Sequence, residues 1–319
     1  MANVPEQFYR QQEMLANRVK KRFKHLKGRF SKQNIDVFRL YDWDIPEIRA
    51  VVDWYGGHLF IGEYMRQQSV PEWLPLMAEA VAETLKAPME RVHLKERRAG
   101  KGEGQRYSRI DYTDKKITLR ERDLKFLVNP FDYVDTGLFS DHRNTRQMVR
   151  KIAKGKDFLN LYCYTGSFSC YAAKGGARST VSVDRSERAI QWAHENMVLN
   201  GIHLDSNKLI QSHAFDFLAK AGKENQRFDI AVVDPPSYST TQTRQMFFDI
   251  ARDHPKLLEA VIRILRPGGC IFFSTNHQKF EPRMDGLDVS SIREITSSTI
   301  PEDYRNKRKT IHRCWKILL

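Results

Sequence analysis

Apolar positions near the start of the chain recur at three- and four-residue steps: Phe8, Met14, Leu15, Val19, Phe23 and Leu26. That spacing predicts a helix over 5–30 with one apolar face. From 35 to 66 the pattern shortens into IDVFRLYD, IRAVVDWYG and HLFIGEYM, which read as strands. Gly56-Gly57 between the last two is a hairpin signal. A helix over 71–86 follows, opened by Pro71. VHLKERR and YSRIDY then flank a loop at 99–105, and KITLRERDLKFLVN reads as a closing hairpin. Residues 1–125 are therefore expected to form a small α+β unit.

From 126 the texture changes. FLNLYCY, STVSVD, KLIQSH, FDIAVVD and CIFFST are short runs rich in Val, Ile and Phe. Helical stretches at 187–199, 213–221 and 244–266 separate them. Strand and helix alternating at this spacing predict a parallel sheet wound with helices on both faces, over 126–319. EITSST and HRCWKILL read as two further strands with no helix between them. A sheet ending in such a reversed hairpin is the shape of a Rossmann-like, seven-stranded class I S-adenosylmethionine (SAM) methyltransferase. No internal repeat interrupts the chain.

Composition excludes several classes. Hydrophobic residues make up 41% of the 319, enough for a sizeable core. No apolar run approaches the ~18 residues of a membrane helix, and the charged first 30 residues hold no signal-peptide core. The four cysteines, at 163, 170, 270 and 314, have no CxxC spacing. They suggest neither a disulfide framework nor a metal site, and they fit the cytoplasm. Net charge is +14, and its distribution is uneven. Residues 1–32 hold nine Lys/Arg against two Glu, and 91–125 hold twelve against six Asp/Glu. The remaining 252 residues sum to +1. Clustered basic charge is the footprint of a polyanion, most often nucleic acid. Lys20, Lys21, Arg22 and Lys24 on the first helix are the candidate RNA contacts, with Arg97, Arg98 and Lys101 around the glycine-rich loop. That loop, AGKGEG, is no P-loop, because no Ser/Thr follows and no helix opens.

In open α/β sheets ligands bind at the carboxyl ends of the strands. After the first strand come Thr165, Gly166 and Ser167, a turn into a helix whose N–H groups suit a carboxylate. One glycine there also serves an ordinary turn. After the second strand comes Asp184, placed to accept a ribose diol, although an acidic residue there also caps helices. Asp216, after the third, is placed to accept an adenine amine or to sit as a surface carboxylate. Asp234-Pro235-Pro236-Ser237-Tyr238 follows FDIAVV. The prolines make a rigid turn that presents Asp234, and Tyr238 is suited to stacking on a planar base. This is the pattern of methyltransferases acting on planar nitrogen.

The segments YVDTGLFSDHR (133–143), GKDFLNLYCYTG (155–166), GGARST (175–180) with Val183-Asp184, DPPSY, and FFSTNHQKF together resemble the RlmK-type domain of bacterial large-subunit rRNA methyltransferases. The resemblance runs from about residue 10 to 318. It implies SAM-dependent methylation of guanine N7 in 23S rRNA or a large-subunit precursor. It also implies a stand-alone version, without the THUMP domain and N2-guanine methyltransferase of the fused proteins, and so cooperation with a separate N2-guanine enzyme. By motif, Thr165, Gly166 and Ser167 line the methionine end of SAM, Asp184 takes the ribose and Asp216 the adenine. Phe139, Asp141 and Arg143 close over the cofactor, and Asp234, Pro235 and Tyr238 face the base.

A related branch methylates cytosine C5 through a cysteine thiol after the strand that here reads FFSTNH. Thr275 and Asn276 stand there instead, so that chemistry is disfavoured. Two alternatives stay open: an N2-guanine or N6-adenine RNA methyltransferase, and a non-catalytic RNA-binding or ribosome-assembly protein of the same fold.

Overall fold

The computed structural model describes residues 5–64, 69–97, 111–133, 135–239, 248–306 and 309–319. Two compact units emerge, Met1–Thr136 with Glu302–Asn306, and Gly137–Pro301 with Lys307–Leu319. The texture of the sequence changes at 126, yet the first unit extends ten residues further. Asn129 N donates to Thr136 O, and Thr136 Oγ1 donates to Tyr55 Oη. Asp132 accepts from Thr113, Asp114 and Asn129. These bonds, which reach back to the end of β2 and the residue after β6, fasten the segment to the first unit.

The first unit opens with α1 (Glu6–Lys32), followed by β1 (Val37–Asp42), β2 (Ala50–Tyr55), β3 (His58–Tyr64), α2 (Trp73–Leu85) and β4 (Val92–Arg97). The sheet order is β1-β2-β3-β4, with the last pair parallel. The hairpin of β5 (Ile117–Glu121) and β6 (Leu124–Val128) stands beside it. Of the periodic residues on α1, Phe8, Leu15, Val19 and Leu26 are buried, joined by Phe30 one turn later. They pack with Trp73, Met77 and Val81 of α2 and Phe38 and Leu40 of β1. Lys20, Lys21 and Lys24 are exposed on the opposite face. Arg22 is half-buried and donates to the carbonyl of Asp303 at 3.4 Å. Arg97 ends β4, whereas Arg98, Lys101 and most of YSRIDY lie outside the described residues; Asp111 and Tyr112, at its end, are in no strand. Inside the sheet, Arg39 is held by Asp53 at 2.7 and 3.0 Å and by Asp42 at 2.9 Å. Its backbone N–H donates to Asp303.

The second unit runs α3 (Arg143–Ile152), β7 (Asp157–Leu161), α4 (Ser167–Lys174), β8 (Ser179–Asp184), α5 (Glu187–Leu199), β9 (Asn207–Gln211), α6 (Ala214–Lys223) and β10 (Phe228–Val233). A small ladder of β11 (Tyr238–Ser239) and β12 (Phe248–Asp249) precedes α7 (Ile250–Ile262) and β13 (Leu265–Thr275). The chain closes with β14 (Ser291–Glu294), α8 (Thr296–Thr299) and β15 (Arg313–Leu318). The seven-stranded sheet has order β14-β15-β13-β10-β7-β8-β9. β15 is antiparallel to both its neighbours and the other interior pairs are parallel. Strands covered on both faces need apolar residues at successive positions. Ile230 and Val232 face Val149 and Phe168, while Ala231 and Val233 face Leu257 and Val261.

One strand falls elsewhere than its sequence pattern suggests. SIRE forms β14, and TSST, the end of EITSST, folds as α8. Thr296 Oγ1 donates to Glu294 and accepts from Cys314 N, which turns the chain out of the ladder at that point. Among the described residues, no helix is long and apolar enough to cross a membrane.

Candidate functional site

The turn after β7 is built against its own backbone preferences. Tyr162, Tyr164 and Gly166 have φ of +56°, +48° and +73°. Each non-glycine residue there costs roughly 1–3 kcal/mol unless its surroundings enforce it, and such strain gathers at functional sites. Asp184, at the end of β8, does the enforcing. Its Oδ2 accepts from Tyr164 N and its Oδ1 from Ser186 N, both at 2.9 Å. Ser186, not Asp184, caps α5, accepting from Ala189 N. Burial raises the Asp184 pKa, and the N–H groups of Ser186 and Tyr164 oppose that shift. A carboxylate offers about four lone-pair sites, so the two bonds to Tyr164 and Ser186 do not exhaust its acceptor capacity.

Thr165 and Ser167 play different parts. Thr165 is buried; its hydroxyl donates to Gly137 O at 2.6 Å, and its own carbonyl accepts from Asn196. It ties the turn to the 137–143 segment rather than opening toward a ligand. Ser167 starts α4 and meets Arg146 at 3.5 Å; Arg146 also donates to Phe139 O. The Phe139 ring is 40% exposed and lies 5.4 Å from that of Tyr164. Arg143 is buried at the start of α3. Asp216 is exposed in the first turn of α6.

Two polar atoms in this region are buried without a hydrogen-bond partner among the described residues, Tyr162 Oη and His213 Nδ1. Burial, then the charges of Asp184 and Asp253, pushes the Tyr162 pKa up. His213 directly precedes α6 and stands closer to the end of β9 than Asp216 does. Neither is legible in the sequence. An aromatic with positive φ and a histidine at a helix start carry no motif.

A second constellation surrounds Asp234, just beyond β10. Its Oδ1 accepts from Ser274 Oγ at 2.6 Å, and its side chain is 28% exposed. Ser237 Oγ donates to Asn276 Oδ1 at 2.7 Å. The end of β13, where a thiol would serve C5 chemistry, instead holds the Asp-Pro-Pro-Ser turn in place. Pro235 is buried, and Tyr238 pairs through its backbone with Asp249. His142 Nε2 lies 3.6 Å from both Asp234 Oδ2 and Asp141 Oδ2. His312 donates from Nδ1 to Asp141 at 2.9 Å, and its Nε2 is 3.0 Å from Thr299 Oγ1. The two imidazole rings stack, 4.2 Å apart and 11° from parallel. The sequence motif points to Asp141 and Arg143, whereas His142 between them emerges only from the structure. Nothing local marked His312.

Asp141, His142 and His312 bring three ligand atoms within 4.8 Å. An imidazole binds an ion in its ring plane, and stacked rings hold their lone pairs in separate planes. Both His312 nitrogens already face oxygen. This geometry does not converge on one ion.

All four cysteines are buried, and burial raises the pKa of each. None resembles an activated thiolate.

The profile of the S-adenosylmethionine-dependent methyltransferase family matches residues 110–309. The ribosomal RNA large subunit methyltransferase K of Neisseria meningitidis serogroup B is 40% identical over 309 residues, 95% of this chain and 86% of that protein. The K/L protein of Allochromatium vinosum is also 40% identical, but the chain spans only 42% of its length. In fold, a putative SAM-dependent methyltransferase from Streptococcus mutans is similar over 97% of this chain and 81% of its own, at a TM-score of 0.78 and 20% identity. A putative methyltransferase complexed with SAH gives 0.73, also at 20% identity, over 95% of this chain and 82% of its own.

Proposed function

We propose that this chain, which belongs to the S-adenosylmethionine-dependent methyltransferase family and within it to the large-subunit rRNA methyltransferases K and K/L, methylates N7 of a guanine in 23S rRNA. The observation that carries the reading is Asp234, a half-buried carboxylate anchored through one oxygen at the end of β10, in a turn clamped by Ser274 and Asn276. The names of the K and K/L relatives supply the rRNA.

The donor set fits SAM. Asp184 keeps acceptor sites for the ribose, and the turn at Thr165, Gly166 and Ser167 opens α4 toward the methionine carboxylate. His213 and Asp216 both flank the adenine end, and the unpartnered His213 Nδ1 is the better-placed group. Phe139 and Asp141 lie on the segment that Thr165 holds in place. When bound, SAM supplies an electrophilic methyl on sulfur.

Guanine N7 has a free lone pair, so no proton has to leave. The chain's task is then proximity and alignment of an in-line displacement. Positive charge moves onto the base, and the Asp234 carboxylate favours it there. N7 lies in the deep, narrow major groove of A-form RNA, so the target must be unpaired or flipped. Tyr238 is the residue to stack on it. The basic face of α1 and the 97–101 segment serve the phosphates. An rRNA substrate puts the work in the cytoplasm, and cooperation with a separate N2-guanine enzyme is part of the same proposal.

A second reading draws on Asp234 as well. A carboxylate acceptor also suits the exocyclic amine of an N2-guanine or N6-adenine substrate. Total rRNA methylated with labelled SAM, then mapped, separates the two. N7-methylguanosine is cationic, and borohydride with aniline cleaves the strand there. Cleavage at the labelled nucleotide is expected, and a labelled nucleotide that resists it overturns the N7 assignment. An absence of label with intact SAM binding points to a non-catalytic RNA-binding role.

A further inference from the structure

Beside Asp234 lies a buried histidine pair to which the proposed chemistry gives no part. His142 and His312 are almost wholly buried, which is unusual for titratable rings unless each has a defined partner. For His312 the partners are complete. Asp141, a carboxylate, can only accept, which puts a proton on His312 Nδ1, and Nε2 faces the Thr299 hydroxyl at 3.0 Å. His312 is thereby locked between Asp141 and Thr299, and its ring forms a floor under His142. His142 differs. Among the described residues its Nδ1 has no hydrogen-bond partner, and its Nε2 is 3.6 Å from two carboxylate oxygens, of which Asp141 Oδ2 is already engaged by His312.

We propose that His142, held by its stack on His312, is a positioning residue that fixes the orientation of the Asp234 carboxylate at the methyl-transfer site without neutralising its charge. Ser274 anchors Oδ1 at 2.6 Å, and the buried edge of His142 stands 3.6 Å from Oδ2, which limits how the carboxylate can turn. The inference rests on the reading of Asp234 as the group that faces the base.

Charge follows from the same geometry. His142 is faced by Asp141 from the segment before α3, Asp234 from the turn after β10, His312 from the residue before β15 and Arg146 from α3. Burial, then His312, holds its pKa below the ordinary imidazole value, with Arg146 reinforcing and the two carboxylates opposing. It is neutral at pH 7, and Asp234 keeps its negative field for the cationic product. Acidification below the ordinary value of about 6.5 protonates His142, which then pairs with Asp234 and weakens that field.

Two variants separate positioning from packing. His142→Gln keeps a donor near the Nε2 position but cannot titrate. His142→Phe keeps a ring on His312 but has no donor. Single-turnover transfer from labelled SAM to 23S rRNA is measured from pH 5 to 8, with SAM affinity by calorimetry and thermal melting as controls. Wild type should lose rate on acidification below about 6.5, while His142→Gln stays close to the wild-type plateau and loses that acid limb. His142→Phe should bind SAM normally and turn over roughly tenfold more slowly, less than the 10²–10³ lost with a group that itself meets developing charge. Phe outperforming Gln, or an identical acid limb in His142→Gln, overturns the proposal. Should His142→Phe fail to fold, the acid limb of His142→Gln alone decides. A fully active Asp234→Ala would instead sink the reading on which the inference rests.

Discussion

Gly137 packs its bare α-carbon against the indole of Trp192: a Cβ built there would lie 2.3 Å from Trp192 Cζ2. The same residue has φ +104° and accepts the Thr165 hydroxyl through its carbonyl. Three demands meet at one glycine: a left-handed backbone, close approach to α5, and a fixed acceptor for the turn after β7. Gly137→Ala should therefore cost about 2–4 kcal/mol, from backbone strain and overpacking together. Chemical denaturation measures it. Adding Trp192→Leu should restore the part due to overpacking and leave the strain. A single Gly137→Ala variant of wild-type stability would show that the segment simply shifts aside.

Asp184→Ala should weaken SAM binding severely. Two charge-assisted hydrogen bonds to the ribose, at about 1.5–3 kcal/mol each, would go. Release of Tyr164 N and Ser186 N should also loosen the strained turn, so melting should fall modestly at the same time. Calorimetric affinity equal to wild type would reject the ribose assignment.

Charge reversal of Lys20, Lys21 and Lys24 should weaken RNA binding and leave SAM binding intact. All three are exposed on α1, whereas Arg22 is engaged with Asp303 and is left unchanged. Each lost phosphate contact should flatten the log–log salt dependence by roughly 0.7–0.9. An unchanged slope would mean that this face is merely solvated.

Cys163→Ser, Cys170→Ser, Cys270→Ser and Cys314→Ser should each retain measurable activity, since a lone-pair nucleophile on the base needs no thiol. Asp234→Ala should lose most activity, and Tyr238→Ala less, about the ~1–3 kcal/mol of one base–aromatic stack. Single-turnover rates decide this, with folding checked by melting. A folded cysteine variant without activity would overturn the mechanism.

Acid should destabilise the first unit through His93. Burial, with the charges of His58 and Lys95, lowers its pKa to about 4. The unfolded chain binds that proton near 6.5. Stability from this group is thus complete above that pH, falls as pH drops, and levels off near 4. The slope in that window is about 1.4 kcal/mol per pH unit for one such residue. Urea midpoints from pH 7 to 4.5 should fall for wild type and fall less for His93→Phe. Parallel curves would place the acid sensitivity elsewhere.

Much of this protein is written in local pattern. The apolar steps of α1, the β–α alternation after 126 and the Asp-Pro-Pro turn each depend on neighbours within a few residues, and such features survive in sequence. The family motifs likewise marked the strand ends at Thr165–Ser167, Asp184 and Asp234. Tertiary structure alone decided the rest. Thr165 turns inward because Gly137 O lies 2.6 Å away, and nothing in TGS states that. Glu302–Asn306 belong to the first unit, far from their neighbours in sequence, because Asp303 supplies an acceptor to the Arg39 backbone. His142 meets His312 across 170 positions because β15 inserts antiparallel between β13 and β14. Periodicity reports which face a side chain takes, whereas its partner across the sheet depends on strand order, which no local pattern encodes.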